Sequence, residues 1–279
     1  MIGYQKNKEG RFIRSFQYIA LALLFLTCSC KKFEFSPFEI PGHDDIEKDL
    51  NPGNVETIIL GSKEQGDIFY FAIISDSHSE YTALGKAINR INSDKDIRFV
   101  IHLGDLTDHG IYKEYKWTND MMSRLRVPYI MVIGNHDYLA NGESLFGKIY
   151  GPSSFSFVYN RSRFVCFNSI VWENNNAFPD FNWLKEALSD NGPWAGTYVF
   201  SHIPPFSSEY NLYFESLFVQ TLTSGNVRCS FHGHVHRYSL ERHYKSSDTR
   251  FFTATCIGKR EFYKVMVADT AFNIERISF

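Results

Sequence analysis

Cysteine is scarce: the chain has five in 279 residues, and no two form a CxxC pair. That argues against a zinc-thiolate site. Cys166, Cys229 and Cys256 lie in apolar, strand-like stretches. They read as small buried hydrophobes, and their odd number does not suit a disulfide framework. Long apolar runs are missing too, since none reaches the roughly 18 residues that a membrane-spanning helix needs. There is no excess of positive charge, with 29 Lys and Arg against 31 Asp and Glu. The net charge of -2 gives no general reason to expect nucleic-acid binding. Internal repeats and low-complexity tracts are absent.

Aromatic side chains are abundant. There are 26 Phe and 16 Tyr within a hydrophobic content of 44%, enough to build a large core. The length suits one sizeable α/β domain or two small ones.

The amino terminus has the build of a secretory signal peptide. Lys6, Lys8, Arg11 and Arg14 precede an apolar run from Ile19 to Leu26, which ends in Thr27-Cys28-Ser29-Cys30. A cysteine just after such a run resembles a bacterial lipobox. Ser29 favours Cys30 as the lipidated residue, with Cys28 as the alternative. A lipid there would anchor the chain to a membrane without spanning it, at the periplasmic face or the cell surface. Residues 31–55 carry Pro37, Pro41, Pro52 and a charged run from Asp44 to Asp49, a composition suited to a tether. The folded domain is expected over residues 56–279.

Within it, Val55–Leu60 reads as a first strand and Ile68–Ile74 as a stronger one. Residues 81–92 place Leu84, Ala87, Ile88 and Ile91 on one helical face. A strand at Ile97–Leu103, a helix at 112–125 and a strand at Val127–Ile133 complete a β-α-β-α-β series, the signature of parallel strands with crossover helices. The second half is richer in strands. A hairpin is expected at Phe155–Tyr159 and Arg163–Asn168 across Asn160-Arg161-Ser162, then a helix at 180–189, a strand at Thr197–Ser201, a helix at 211–223 and a strand at Val227–Phe231. Strand-like pieces follow at 237–243, 250–256, 261–267 and 272–278. Two sheets, one from each half, with helices outside would fit this order.

Metal-binding side chains follow the core strands. The series is Asp76-Ser77-His78, Gly104-Asp105-Leu106-Thr107-Asp108, Gly134-Asn135-His136-Asp137, Ser201-His202 and His232-Gly233-His234-Val235-His236. Asp76 to Asp105 is 29 positions and Asp105 to Asn135 is 30. A βαβ unit takes about 30 residues, so this spacing brings three of the sites to one edge of one sheet. Ligands in α/β proteins gather past the carboxyl ends of strands. Mixed carboxylate, imidazole and amide donors suit Mn, Fe or Zn better than Ca or Mg.

The ordered set Asp-x-His, Gly-Asp-x-x-Asp, Gly-Asn-His-Asp, His and Gly-His-x-His resembles the calcineurin-like metallophosphoesterase superfamily over about residues 68–236. The Gly104–Gly110 stretch, Tyr115 and the start of the Phe181 helix look most like its bacterial cyclic-nucleotide phosphodiesterase branch. The resemblance implies an α/β fold, a four-layer βαβ sandwich of two mixed sheets flanked by helices. It implies two divalent or trivalent transition-metal ions, the first held by Asp76, His78 and His236, the second by Asn135, His202 and His234, with Asp105 bridging them. It further implies hydrolysis of a small phosphate ester by direct attack of a metal-bridging hydroxide. His136 would act on the leaving group or the phosphoryl group, and Asp108 would orient it. His109 and His232 are possible substrate contacts, and His102 reads as a core histidine. Phosphoprotein phosphatases of the superfamily carry arginines where His109 and Ile133 stand, so this chain departs from them. The loops at Trp172–Asn176 and Pro204–Tyr210 are candidates for choosing the substrate. Phosphodiesters are favoured, with a phosphomonoesterase, a pyrophosphatase or a non-catalytic metal-containing lipoprotein as alternatives.

Overall fold

The structure, a computed structural model, describes residues 47–61, 68–189, 192–269 and 271–279. The expected signal peptide, Cys28, Cys30 and the tether as far as residue 46 lie outside the described residues.

The elements run α1 (Leu50–Gly61), β1 (Phe69–Ile74), α2 (Tyr81–Ser93), β2 (Ile97–His102), α3 (Tyr112–Met122), β3 (Tyr129–Met131), α4 (Gly142–Tyr150), β4 (Phe155–Tyr159) and β5 (Ser162–Cys166). They continue with α5 (Phe181–Ser189), β6 (Gly196–Phe200), α6 (Leu212–Ser224), β7 (Cys229–His232), β8 (Ser239–Glu241), β9 (Arg250–Thr253), β10 (Glu261–Val267) and β11 (Phe272–Ser278). Two mixed sheets result, in the orders β11-β10-β1-β2-β3 and β4-β5-β6-β7-β9-β8. Strands β1, β2 and β3 are parallel, as are β5, β6, β7 and β9.

Period-two alternation divides each strand between two environments. In β1, Phe69, Phe71 and Ile73 join one apolar cluster with residues of the second sheet. Ala72 and Ile74 join the other, with Leu84, Ala87, Ile88 and Ile91 of α2. The layer between the sheets is largely phenylalanine. Phe71 of the first sheet stacks on Phe99 at 5.3 Å and meets Phe164, Phe200 and Phe231 of the second sheet edge-on at 5.6, 6.0 and 6.1 Å. Burial of such rings is the main driving force for sheet-on-sheet packing.

Three expectations need correction. Strands β10 and β11 do not extend the second sheet. β10 pairs antiparallel with β1, so the carboxyl-terminal hairpin returns to the first sheet. The hairpin turn is Asn160-Arg161, both in the left-handed region, while Ser162 pairs with Tyr159, as a two-residue primed turn requires. Finally, Val55–Leu60 is not a strand. It belongs to α1, which starts at Leu50, so the packed domain begins before residue 56. The β-branched run suggested a strand, but Pro52 lies in the first turn, where proline is tolerated in a helix, and Ile58 is buried.

Helix α1 also covers an open sheet edge. The buried Asn51 side chain donates to the Met131 carbonyl at 2.9 Å and accepts from the Met131 amide at 2.9 Å. One amide thus supplies both bonds that a further strand would give to β3, just before the Gly134-Asn135-His136 turn. Replacing it with alanine strands two backbone groups. Asn51→Ala is expected to cost about 2 kcal/mol, read as a lower denaturation midpoint at unchanged slope.

Candidate metal centre

The turns after β1, β2, β3, β6 and β7 meet at one edge of the two sheets. Backbone bonds tie them together: Asp76 N donates to Gly104 O, His78 N to Asp105 O, and Gly233 N to His202 O. His234 N, from the second sheet, donates to Asp76 Oδ1 of the first at 3.1 Å. Packing here is backbone against backbone. A Cβ on Gly134 would lie 2.1 Å from Asp105 N, and one on Gly104 would lie 2.7 Å from His202 Nδ1. Gly104 also has φ +100°, so glycine is required there on two counts.

The candidate ligands themselves sit in unusual backbone. Asp76, His78, Asp105, His234 and His236 have φ of 50°, 43°, 55°, 66° and 50°. Left-handed conformation is uncommon for non-glycine residues, although Asp and His tolerate it better than most. Clusters of this kind mark sites where surrounding structure imposes the geometry.

Asp105 is the centre of the arrangement. Its Oδ2 lies 3.6 Å from His78 Nε2 and 3.2 Å from His202 Nε2, and its Oδ1 accepts from His136 N at 3.0 Å. On one side, ligand atoms of Asp76, His78, Asp105 and His236 all lie within 4.8 Å of one another, and His236 Nε2 is 3.0 Å from Asp76 Oδ1. On the other side, the rings of His202 and His234 are 5.3 Å apart, and His234 Nδ1 is 3.1 Å from Asn135 Oδ1.

The outward hydrogen bonds fix which nitrogen each ring turns inward. His78 Nδ1 donates to the Thr107 carbonyl at 3.1 Å and His202 Nδ1 to the Leu103 carbonyl at 2.7 Å, leaving Nε2 of each toward Asp105. His234 is reversed: its Nε2 is 3.0 Å from Glu209 Oε1, so Nδ1 faces Asn135. Asn135 is held likewise, its Nδ2 donating to Glu173 Oε1 at 3.1 Å.

The electrostatics favour cations. Burial disfavours a charged His202, yet Asp105 and Asp76 outweigh it and lift the imidazole to about 10. Burial also opposes ionisation of Asp105, but His202, His78 and His136 hold it well below the usual carboxylate range. His202 Nε2 is buried without a hydrogen bond of good geometry. A buried nitrogen facing a carboxylate, within a mixed carboxylate, imidazole and amide set, fits a transition-metal ion.

His136 stands beside this set, half-buried, with its ring 4.8 Å from that of His78. Its Nδ1 donates to the Asp108 backbone carbonyl at 2.9 Å. Asp108 therefore holds His136 through its main chain, while its carboxylate lies 3.3 Å from His78 Nδ1. That differs from the expected carboxylate–imidazole contact. Asp137 is fully buried and accepts from Leu106 N, Thr107 N, Thr107 Oγ1 and Gly134 N. It locks the Asn135 turn onto the Asp105 turn. Tyr115 supports that lock by donating to the Asp137 carbonyl at 2.7 Å.

Not every expected residue reaches the centre. His232 is fully buried, bonded at 3.1 Å to Ser201 and stacked on Phe251; burial pushes it down to about 3. It is a core residue and not a substrate contact, because β7 turns it away from the ligand edge. His102 is a core histidine, 2.9 Å from Ser77 Oγ. His109 is exposed and paired to Glu114 at 2.9 Å. Glu173 and Glu209 lie in the two loops expected to choose the substrate, but the sequence assigns neither carboxylate a place behind a ligand. A single glutamate in a polar loop carries no spacing signal.

The calcineurin-like phosphoesterase family model matches residues 69–238. A probable cyclic nucleotide phosphodiesterase of Rhodopseudomonas palustris is 26% identical over 162 residues, which are 50% of this chain and 58% of that protein. A protein of the same description from Ruthia magnifica is 26% identical over 126 residues, 42% of this chain and 52% of that one. The chain thus spans little more than half the length of these curated relatives. In fold it is similar to a dimetal phosphatase from Danio rerio, with a TM-score of 0.57 at 15% identity over 75% of this chain and 99% of that one. A purple acid phosphatase from yellow lupin gives 0.59 at 14% identity, over 77% and 52% of the two chains. With more than half of its residues matched by the family model, the chain belongs to the calcineurin-like phosphoesterase family.

Proposed function

We propose that this protein is a dinuclear metal-dependent phosphoesterase that hydrolyses phosphodiesters outside the cytoplasm while held to a membrane by a lipid. The observation that carries the catalytic reading is Asp105, with His78 and His202 on either side of one carboxylate oxygen. A carboxylate shared between two donor sets is suited to holding a pair of ions close together. Asp76, His78, Asp105 and His236 would hold the first ion, and Asp105, Asn135, His202 and His234 the second. The donor chemistry suits Mn, Fe or Zn. When bound, the ions supply a water-derived nucleophile at neutral pH and neutralise charge on the phosphoryl oxygens.

The remaining work falls to His136. With Nδ1 committed to the Asp108 carbonyl, Nε2 is the nitrogen that can carry a proton to the leaving oxygen as the P–O bond breaks. Its backbone N–H donates to Asp105 Oδ1, which ties the main chain of the acid to the shared carboxylate. His109 is exposed and held by Glu114, whose carboxylate raises its pKa.

Charge supports the diester preference. His109 and Ile133 replace two arginines that phosphoprotein phosphatases of this family use. A diester carries one negative charge at phosphorus and a monoester two, so the loss of guanidinium clamps weighs more on monoesters. The curated relatives bear a phosphodiesterase description. Export and anchoring rest on the amino-terminal sequence alone.

Metal-stripped protein reloaded with Mn should hydrolyse a chromogenic bis-aryl phosphate faster than the mono-aryl ester, and the reverse order would replace the diesterase reading with a monoesterase. His136→Ala should lower kcat by about 10²–10⁴-fold while two ions per chain remain by elemental analysis. Loss of metal would make His136 a ligand. In a bacterial host fed labelled palmitate, the full chain should become labelled and Cys30→Ala should not. Label retained in that variant but lost in Cys28→Ala would move the anchor to Cys28.

A further inference from the structure

The two loops that contact the second ligand set each present one carboxylate to it. Glu209, between β6 and α6, lies 3.0 Å from His234 Nε2. Glu173, between β5 and α5, accepts from Asn135 Nδ2 at 3.1 Å. Each grips the outer atom of a residue whose inner atom, His234 Nδ1 or Asn135 Oδ1, points at the other, with 3.1 Å between them.

Both contacts decide an orientation that is otherwise degenerate. An imidazole can turn either nitrogen inward, and His78 and His202 present Nε2 where His234 presents Nδ1. A primary amide can turn inward an oxygen, which ligates a cation, or an NH₂, which does not. Glu209 requires a proton on His234 Nε2 and leaves the Nδ1 lone pair inward. Glu173 requires the NH₂ of Asn135 outward and leaves Oδ1 inward.

Charge points the same way. The first ligand set contains its own carboxylate, Asp76, besides the shared Asp105. The second has only Asp105, with one neutral amide and two imidazoles. The Glu209 side chain is 2% exposed, and its Oε2 and that of Glu173 are buried without hydrogen-bond partners. Among the described residues, Glu209 forms its ion pair with His234. A buried carboxylate is unfavourable unless a positive charge compensates it, and a metal-bound imidazole is that charge. Carboxylates behind ligating groups raise ligand basicity and fix orientation.

We infer that Glu209 and Glu173 are positioning residues for the second ion, holding His234 by Nε2 and Asn135 by its NH₂ and supplying the negative charge that its ligand set lacks. This rests on the dinuclear reading proposed above. The test is Mn²⁺ binding to the metal-stripped full chain, by calorimetry and elemental analysis, alongside the melting temperature of the metal-free protein. The wild type should take two ions. Glu209→Ala should keep the affinity of the first and weaken the second by about 10–100-fold, with no fall in metal-free melting temperature, and Glu209→Gln, which keeps an accepting oxygen, should recover part of the loss. Glu173→Ala and Glu173→Gln should behave in the same order. Unchanged binding of both ions, or equal weakening of both with a lower melting temperature, would overturn the assignment. A wild type that takes only one ion would instead overturn the dinuclear reading on which it rests.

Discussion

A buried carboxylate at the seam between two sheets organises this protein. Asp105 cannot be ionised away from water without compensation, and the chain surrounds it with imidazoles delivered by separate strands. His78 comes from the turn after β1, His202 from the turn after β6, and His136 from the turn after β3. The first sheet supplies the negative charges of Asp76 and Asp105, and the second supplies His202, His234 and His236. Neither sheet contains a complete donor set, so the centre exists only when the two are packed together.

That packing depends on the phenylalanine layer. Phe71 touches Phe200 and Phe231 across the seam, and the carboxyl ends of these three strands carry Asp76, His202 and His234. The rings fix the spacing of the sheets and hence the separation of the ligands. Five ligand residues held in left-handed backbone are consistent with such a frame. Each costs on the order of 1–3 kcal/mol, and the cost is sustained because glycines at 104 and 134 let the turns press together. The rigidity is useful, since a metal centre needs donors held in place before the ion arrives.

Asp137 and Asn51 extend the frame outward. Asp137 ties the turn after β3 to the turn after β2 by accepting from Leu106 N, Thr107 N and Thr107 Oγ1, and accepts from Gly134 N within its own turn. Asn51 closes the edge of β3 from a helix that lies far away in sequence. Both act on the Asn135-His136 turn, where a candidate ligand and a candidate acid are adjacent residues. A displacement of that strand would move both at once.

Much was legible in the residues alone. Near-equal spacing of Asp76, Asp105 and Asn135 follows from the size of a βαβ unit, so one sheet edge could be inferred from counting. The core role of His102 was also readable, because it falls inside an apolar strand. Local pattern misled at Val55–Leu60, where β-branched residues form a helix because burial against β3 and β4 overrides propensity. It could not assign β10 and β11, because strand pairing is chosen by contacts distant in sequence. It placed His232 beside the ligand pair, whereas the direction of β7 buries it. The sequence by itself determined which groups can bind metal and that they follow strands, since both are properties of residue type and periodicity. Only the tertiary structure decided which nitrogen each histidine turns inward, that Asp108 holds His136 through its carbonyl, and that Glu173 and Glu209 stand behind the second ligand set. Those choices are made by hydrogen bonds between segments far apart in the chain, and no local pattern encodes them.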